Sequence, residues 1–379
     1  MSIPNRTIVV FAFVVISLSL CDGAEVVARK AQQPNERYPY TEQEVFFLNA
    51  KDHVRLAGTL SLPLSPDPVP AVVLCTGSGP QDRNEAMFGH KPFLVLADHL
   101  TRLGIAVLRV DDRGVGKSTG IFSEATSADF AADALAGLEY LKTRKEIAPG
   151  KIGLLGHCEG GLVASLAAAA SREVAFLVMM GGPGLPGDQI VLGPGGDDLD
   201  GEWLSRELIA QMRGAQERIF TIIKNEKDHN LAQARVRKEA EVFRSIAARI
   251  RVEAAASHRE AAETAAVAVE GQLPLLLSRW FQFYLTYDPR TALLKVKCPV
   301  LAVNGERDVQ VPAKENLEAI REALSVGGNT DYTVLQLANL NHLFQTARTG
   351  AISEYDQIEE TFSVLALDTV SSWILKHTQ

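Results

Sequence analysis

The segment Lys151–Ala170, KIGLLGHCEGGLVASLAAAA, decides how the rest of the chain is read. A short apolar run meets GHCEGG and then an Ala-rich stretch of high helix propensity, so the segment reads as strand, sharp turn, helix. The residue at the apex of such a turn is held in a strained backbone conformation that only small neighbours permit. Gly156 two residues before Cys158 and Gly160 two residues after it meet that requirement. A cysteine presented there is a candidate nucleophile, because a thiol of ordinary pKa about 8.5 falls to roughly 3.5–7.5 beside a histidine. Alone, the same cysteine could be a small buried hydrophobe in an ordinary β–α turn. The case for chemistry therefore rests on partners elsewhere in the chain.

The chain has 379 residues, 46% of them hydrophobic and 22% charged, enough for one large domain or two small ones. A net charge of −8 with no concentrated Lys/Arg stripe excludes a nucleic-acid surface. Arg6, the apolar run Ile8–Leu20 and the small residues Gly23 and Ala24 have the layout of a secretory signal peptide. Residues 1–24 are thus expected to direct export to the periplasm or outside the cell. An apolar run this short falls below the ~20 residues of a membrane span. The alternative is an anchor, through this segment or through Cys21. With the signal removed, Cys75, Cys158 and Cys298 remain; an odd number fits no disulfide framework and leaves at least one free thiol. Polar residues 25–40 read as a disordered lead-in, and the domain proper as 41–379.

Glu44–Leu48 and Val54–Leu62 open the domain as a hairpin. Ala71–Leu74 is a buried strand running into CTGSGPQDR, where Gly77 and Gly79 let backbone N–H groups turn toward a ligand; Asp82 and Arg83 are expected to pair and fix that loop. Lys91–Leu103 reads as an amphipathic helix. Ile105–Val110 leads into DDRGVGKS, which imitates the end of a phosphate loop, but Asp111 stands where that motif needs glycine. Thr126–Thr143 is the next helix, with Ser127 as cap. After the strand Ala175–Met180 the alternation stops. About a hundred residues of charged and Ala-rich helix, Trp203–Lys227 and Leu231–Glu270, form an insertion with structure of its own. The aromatics Trp280, Phe281, Phe283, Tyr284 and Tyr287 stand at its return to the sheet. Pro299–Asn304 then leads to Asp308, and Thr333–Leu337 leads to His342, each in a loop at a strand's carboxyl end, the edge where open α/β sheets carry their chemistry. Tyr355–Lys376 reads as the last helix. His53, His90 and His99 are read as non-catalytic, and Glu306 as a rival acid to Asp308.

GHCEGG resembles the nucleophile elbow of α/β-hydrolases, usually G-x-S-x-G, with cysteine in place of the commoner serine. GSGPQDR resembles the loop after the third strand in an esterase and peptidase-like branch of that superfamily. The resemblance runs from about Glu44 to the C-terminus. It implies an α/β-hydrolase fold, a mostly parallel eight-stranded sheet flanked by helices, with an inserted helical cap over residues 185–290. Its order of nucleophile, acid and histidine assigns Cys158, Asp308 and His342. Asp308 would orient His342, which takes the thiol proton and returns it to the leaving group. Backbone N–H groups of Gly77 or Ser78 and of Glu159 would form the oxyanion hole, while Asp112, Arg113 and Gly116 are read as scaffold. Dienelactone hydrolases are similar in using cysteine at this position, although their chains lack the insertion. The implied activity is hydrolysis of ester-like small molecules (carboxylic esters, lactones or thioesters) through an acyl-cysteine, with no cofactor and no metal, and a homodimer through the cap is a further expectation. Aminopeptidase-like or acyltransferase activity, or a non-catalytic binding protein, are the alternatives. Cys75, ending the third strand, is expected near Cys158 at the same sheet edge.

Overall fold

Tyr40–Asn49 (β1) and Val54–Pro63 (β2) pair antiparallel, and β2 pairs antiparallel with Ala106–Val110 (β4). From there the sheet is parallel through Val69–Cys75 (β3), Ile147–His157 (β5), Leu177–Met180 (β6), Val300–Gly305 (β7) and Tyr332–Leu337 (β8), in the order β1-β2-β4-β3-β5-β6-β7-β8. The computed structural model describes residues 30, 32–34, 38–192, 206–253 and 273–379. The expected signal segment 1–24 lies outside the described residues.

Register places the functional edge. Cys75 is opposite Gly156, Gly156 opposite Met179, Met180 opposite Val303 and Gly305 opposite Leu337, so five strands end level with one another. The loops that follow are stitched together beyond the ladder: Cys158 N–H donates to Met180 O at 2.9 Å, Gly181 N–H to Val303 O at 2.8 Å and Glu306 N–H to Leu337 O at 2.8 Å.

Parallel strands buried on both faces need continuous apolar sequence. Val73 and Leu154 enter one core with Leu138, Ala164 and Ile320, from the helices Ser127–Lys142 (α2), Glu159–Ala170 (α3) and Ala313–Val326 (α10). Their neighbours Val72 and Leu155 enter the other, with Leu96, Leu100, Val370 and Ile374 from Pro92–Arg102 (α1) and Val364–Thr378 (α11). Between β6 and β7 lie the helices Gly187–Leu192 (α4), Arg206–Asn225 (α5), His229–Glu253 (α6), Leu273–Leu276 (α7), Arg279–Thr286 (α8) and Arg290–Leu293 (α9). Most of them share a third apolar cluster that includes Ala215, Ile219, Val236, Phe281 and Leu285. The part of the sequence-predicted helix beyond Glu253 lies outside the described residues.

Three expectations are corrected here. Helix α2 is capped by Thr126, not Ser127: the Asp129 carboxylate accepts from the Thr126 N–H and hydroxyl at 2.9 and 2.8 Å, closing the N-terminal turn. The last helix begins at Val364, not Tyr355, and the lead-in is not disordered at the residues described, for a single reason. Backbone groups of the segment before α11 are taken by lead-in side chains. Lys30 Nζ donates to Asp356 O and Ile358 O at 2.9 and 3.1 Å, and Gln32 Oε1 accepts from Thr361 N–H and Phe362 N–H. Gln33 adds a bond to Gly89 O at 2.9 Å. Gln32→Ala leaves two amides without their partner and is expected to lower stability by about 1 kcal/mol in urea unfolding. A midpoint equal to that of the parent would show that the lead-in contributes nothing.

Candidate active site

Cys158 sits between β5 and α3 with φ 53° and ψ −126°, a conformation costing a non-glycine residue on the order of 1–3 kcal/mol. The two glycines read from the sequence are required by contact. A Cβ on Gly156 would stand 1.9 Å from Gly160 O, and one on Gly160 would stand 2.1 Å from Cys75 O. Helix and strands therefore meet backbone to backbone, and Cys158 projects at the N-terminus of α3, where the helix dipole favours negative charge.

Asp308 lies in the turn after β7. Its Oδ1 accepts from Gln310 N–H at 2.9 Å and Val311 N–H at 2.8 Å, and its Oδ2 is 2.8 Å from His342 Nδ1. That contact leaves Nε2 for Cys158. Gly181, at φ +59°, allows the approach, since a Cβ there would lie 3.3 Å from the His342 ring. Glu306, the rival acid, turns away and accepts from Asn339 N–H at 2.9 Å. Burial alone would push the Cys158 thiol up, but the charge of His342, its hydrogen bond and the nearby His157 carry it below the ordinary thiol value. Burial would likewise lower His342, yet Asp308 and Cys158 raise it well above the usual imidazole range. The arrangement favours a thiolate–imidazolium pair backed by a buried carboxylate.

The loop after β3 differs from its expected role at one residue. Gly77 N–H donates to Glu85 Oε1 at 2.6 Å, so this amide is committed and does not face Cys158 as an oxyanion donor. Ser78 remains the candidate from that loop. Asp82 and Arg83 do not pair with each other: Arg83 binds Asp111 at 2.6 Å, and Asp82 accepts from Asn84 N–H and Ala86 N–H. Asp112 holds the loop from below, accepting from Thr76 Oγ1 at 2.7 Å and Gln81 N–H at 2.9 Å; burial pushes it well up against these bonds. Arg113 binds Asp52 and Asp133. Asp112 and Arg113 thus have the scaffold contacts expected of them.

The level strand ends, the insertion after β6 and the strand–turn–helix elbow together define the architecture. The chain has the α/β-hydrolase fold. Residues 91–277 match the family described as serine aminopeptidase, S33. The esterase EstD of Thermotoga maritima is 31% identical over 136 residues, 36% of this chain and 32% of that protein, so the chain aligns with about a third of the relative's length. Among solved structures, the Pyrococcus furiosus esterase Pf2001 superposes with a TM-score of 0.53 at 15% identity, covering 93% of this chain and 97% of that one. Est1E from Butyrivibrio proteoclasticus, solved with ferulic acid bound, gives 0.50 at 17% identity over 88% and 98%. At such identities the likeness is one of fold.

Within this fold the Glu159 side chain has a part that the sequence did not suggest. Its backbone N–H is the first of α3, as expected of an oxyanion donor. Its buried carboxylate binds Ser127 Oγ at 2.6 Å and Trp280 Nε1 at 2.8 Å, with Ser78 as a third partner; burial raises it and those bonds only partly offset the rise. Trp280 belongs to α8, so this carboxylate ties the inserted helices to the elbow. Trp280 stacks on Tyr284, whose hydroxyl is driven well up by burial and by the charges of Cys158 and Glu159. Phe283 and Tyr287 stack on each other instead.

The remaining histidines and thiols fall into place. His90 is buried between Thr361 Oγ1 and Tyr355 O, and His99 bonds Ser371. Cys75, Cys158 and Cys298 are free. Cys75 does end beside β5, as expected, but it packs in the core with Val163, and burial, helped by Asp112, pushes its thiol to about 12. His157 and Glu85 were missed; they carried only the signals of a histidine beside the elbow apex and an acid in the glycine loop. At neutral pH iodoacetamide is expected to modify Cys158 well ahead of Cys75 and Cys298. The pH midpoint for Cys158 should lie below 8.5, the ordinary thiol value, and His342→Ala should move it upward. An unchanged midpoint in that variant would contradict the ion pair.

Proposed function

We propose that this protein hydrolyses carboxylic esters, lactones or thioesters through an acyl-cysteine intermediate. The observation that carries the reading is Cys158, held at a positive φ between β5 and α3 and in reach of a histidine whose other nitrogen is 2.8 Å from a buried carboxylate. In this reading the thiolate attacks the acyl carbon, and the carbonyl electron pair moves to an oxygen facing the N–H groups of Glu159 and Ser78. The imidazolium of His342 gives its proton to the departing alcohol or thiol. Water, deprotonated by His342, then attacks the acyl-cysteine and releases the acid, the thiolate leaving and the histidine again protonated. Asp308 stays ionised throughout and orients the ring.

A thiolate leaves a tetrahedral intermediate more readily than an unprotonated alkoxide or amide nitrogen, so collapse favours substrates with good leaving groups. The likeness to serine aminopeptidases favours a second reading, peptide hydrolysis. An aminopeptidase needs an anion for the substrate's ammonium group. Glu159 is a buried carboxylate near Cys158, but it already takes Ser127, Trp280 and Ser78. The ester reading needs no such group. Export through residues 1–24 belongs to the same proposal, with the inserted helices forming one wall of the acyl site. Among the described residues no helix is long and apolar enough to cross a membrane.

Purified protein is expected to turn over aryl esters and thioesters ahead of alkyl esters, and all of these ahead of aminoacyl anilides. Cys158→Ala should lose activity by at least ~10³-fold, the order seen when a nucleophile is removed. Anilides as the best substrates would promote the peptidase reading, and full activity in Cys158→Ala would end the acyl-cysteine reading.

A further inference from the structure

Behind the elbow lies a second buried acid–histidine pair that the hydrolytic scheme does not use. Glu85, in the loop between β3 and α1, and His157, the residue before Cys158, meet at 3.0 Å between Oε1 and Nδ1, with side chains 1% and 8% exposed. The other His157 nitrogen, Nε2, is 2.9 Å from His342 O. Glu85 Oε1 also accepts Gly77 N–H at 2.6 Å. The two residues thus touch the glycine loop, the strand leading into the elbow and the loop that carries His342.

Counting donors leaves two states for the pair, and the direction of the His157 shift favours the charged one. His342 O can only accept, so Nε2 must carry hydrogen. A neutral ring would then present an Nδ1 lone pair to Glu85 Oε1, which is tolerable only with a proton on that same oxygen. Protonation at Oε2 instead would require both ring nitrogens to donate, giving a buried net positive charge. An imidazolium against a carboxylate satisfies both ring nitrogens and the Gly77 amide together. Burial works against the His157 cation, but the charge and hydrogen bond of Glu85 outweigh it and raise His157 above the usual imidazole value. The charged or titratable groups facing His157 are Glu85 from the glycine loop, Cys158 from the elbow and His342 from the loop after β8. The His157 and His342 rings lie 4.8 Å apart. Glu85 Oε2 is buried with no hydrogen-bond partner among the described residues, and Glu85 and His157 line a cavity of about 10 Å³, about the room of one water.

We propose that Glu85 and His157 are positioning residues: an internal ion pair that clamps the Gly77–Ser78 loop to the His342 loop and keeps a cation beside Cys158. The proposal rests on Cys158 being the nucleophile and extends that reading to a source of thiolate stabilisation independent of His342. It also gives the committed Gly77 amide a task, since fixing that amide orients the peptide that follows, which carries Ser78 N–H. Because His157 neighbours the nucleophile in sequence, a cation there acts on the thiolate without contacting substrate.

The test uses a readout that loop stability alone would not move. The alkylation rate of Cys158 is followed against pH in the parent, Glu85→Gln and His157→Asn, alongside kcat and KM on an aryl ester. Loss of a nearby cation is expected to raise the alkylation midpoint by roughly 1–2 pH units. Loosening the loop is expected to lower kcat by roughly 10- to 100-fold, with KM little changed. Midpoints at the parental value in either folded variant would overturn the proposal, even if activity fell. Should neither variant fold, nitrogen NMR of the parent decides: His157 protonated on both nitrogens at pH 7.5 supports the pair, and a neutral ring overturns it. Cys158→Ala separates the two levels. Retained hydrolysis there sinks the nucleophile reading itself, whereas an inactive Cys158→Ala with parental Glu85→Gln and His157→Asn sinks only the ion pair.

Discussion

The carboxyl edge of the sheet depends on one close approach, that of the Gly160 backbone to the carbonyl of Cys75. This contact lets α3 start directly above β3 and β5, and it forces the chain at Cys158 into positive φ. A methyl group at either glycine would separate helix from sheet, displacing the thiol and with it the dipole of α3. The strain at Cys158 is held by the surrounding backbone, through its N–H on Met180 O and the paired strands on either side. The loop that begins at Thr76 starts from the other end of the same contact. Thiol and glycine loop are therefore placed by a single piece of geometry.

Around this scaffold the buried carboxylates near the thiol have partners. The Asp308 carboxylate has two backbone amides and His342, and Glu159 has a hydroxyl and an indole N–H. Glu85 has an amide and an imidazole, leaving one oxygen to the small cavity behind it. Pairing of this kind turns burial into an advantage, because charge interactions weaken less where water is excluded. For a cysteine the consequence differs from that for a serine. In the proposed mechanism the lowered thiol and raised imidazole favour a resting thiolate–imidazolium pair, so the histidine would begin as an acid. The groups setting that equilibrium thereby govern how much enzyme is ready to react. The bond from Glu159 to Trp280 adds a mechanical link, since movement of α8 must be felt at the helix turn that supplies the first N–H.

Much of this was legible in the sequence, and the reasons for the exceptions are physical. The elbow was legible because two glycines flank a residue that needs them, and Asp308 and His342 because each lies a few residues past a strand, the buried β7 for Asp308 and the half-exposed edge strand β8 for His342. Sheet order followed from the resemblance, and register then brought the three residues together. Gly77 was misjudged because a glycine's freedom to turn its N–H does not say where that N–H goes; Glu85, eight residues later, takes it. The exchange of Ser127 for Thr126 as cap has the same origin: the Ser127 hydroxyl goes to Glu159, a partner across the fold. Tyr355 was read into the last helix because the lead-in side chains that claim the backbone of that segment lie more than three hundred residues away in sequence. Long-range polar pairing was the part that periodicity and motif could not express.

The central claim is that an acyl group resides on Cys158 during turnover. Mixing the protein with a slowly deacylating aryl ester, quenching in acid and mapping peptides by mass spectrometry tests it directly. The account predicts one added acyl group, on the peptide containing Cys158, formed in step with a burst of released phenol and absent in His342→Ala at neutral pH. Turnover with no acylated Cys158 peptide, or acylation confined to another residue, would contradict it.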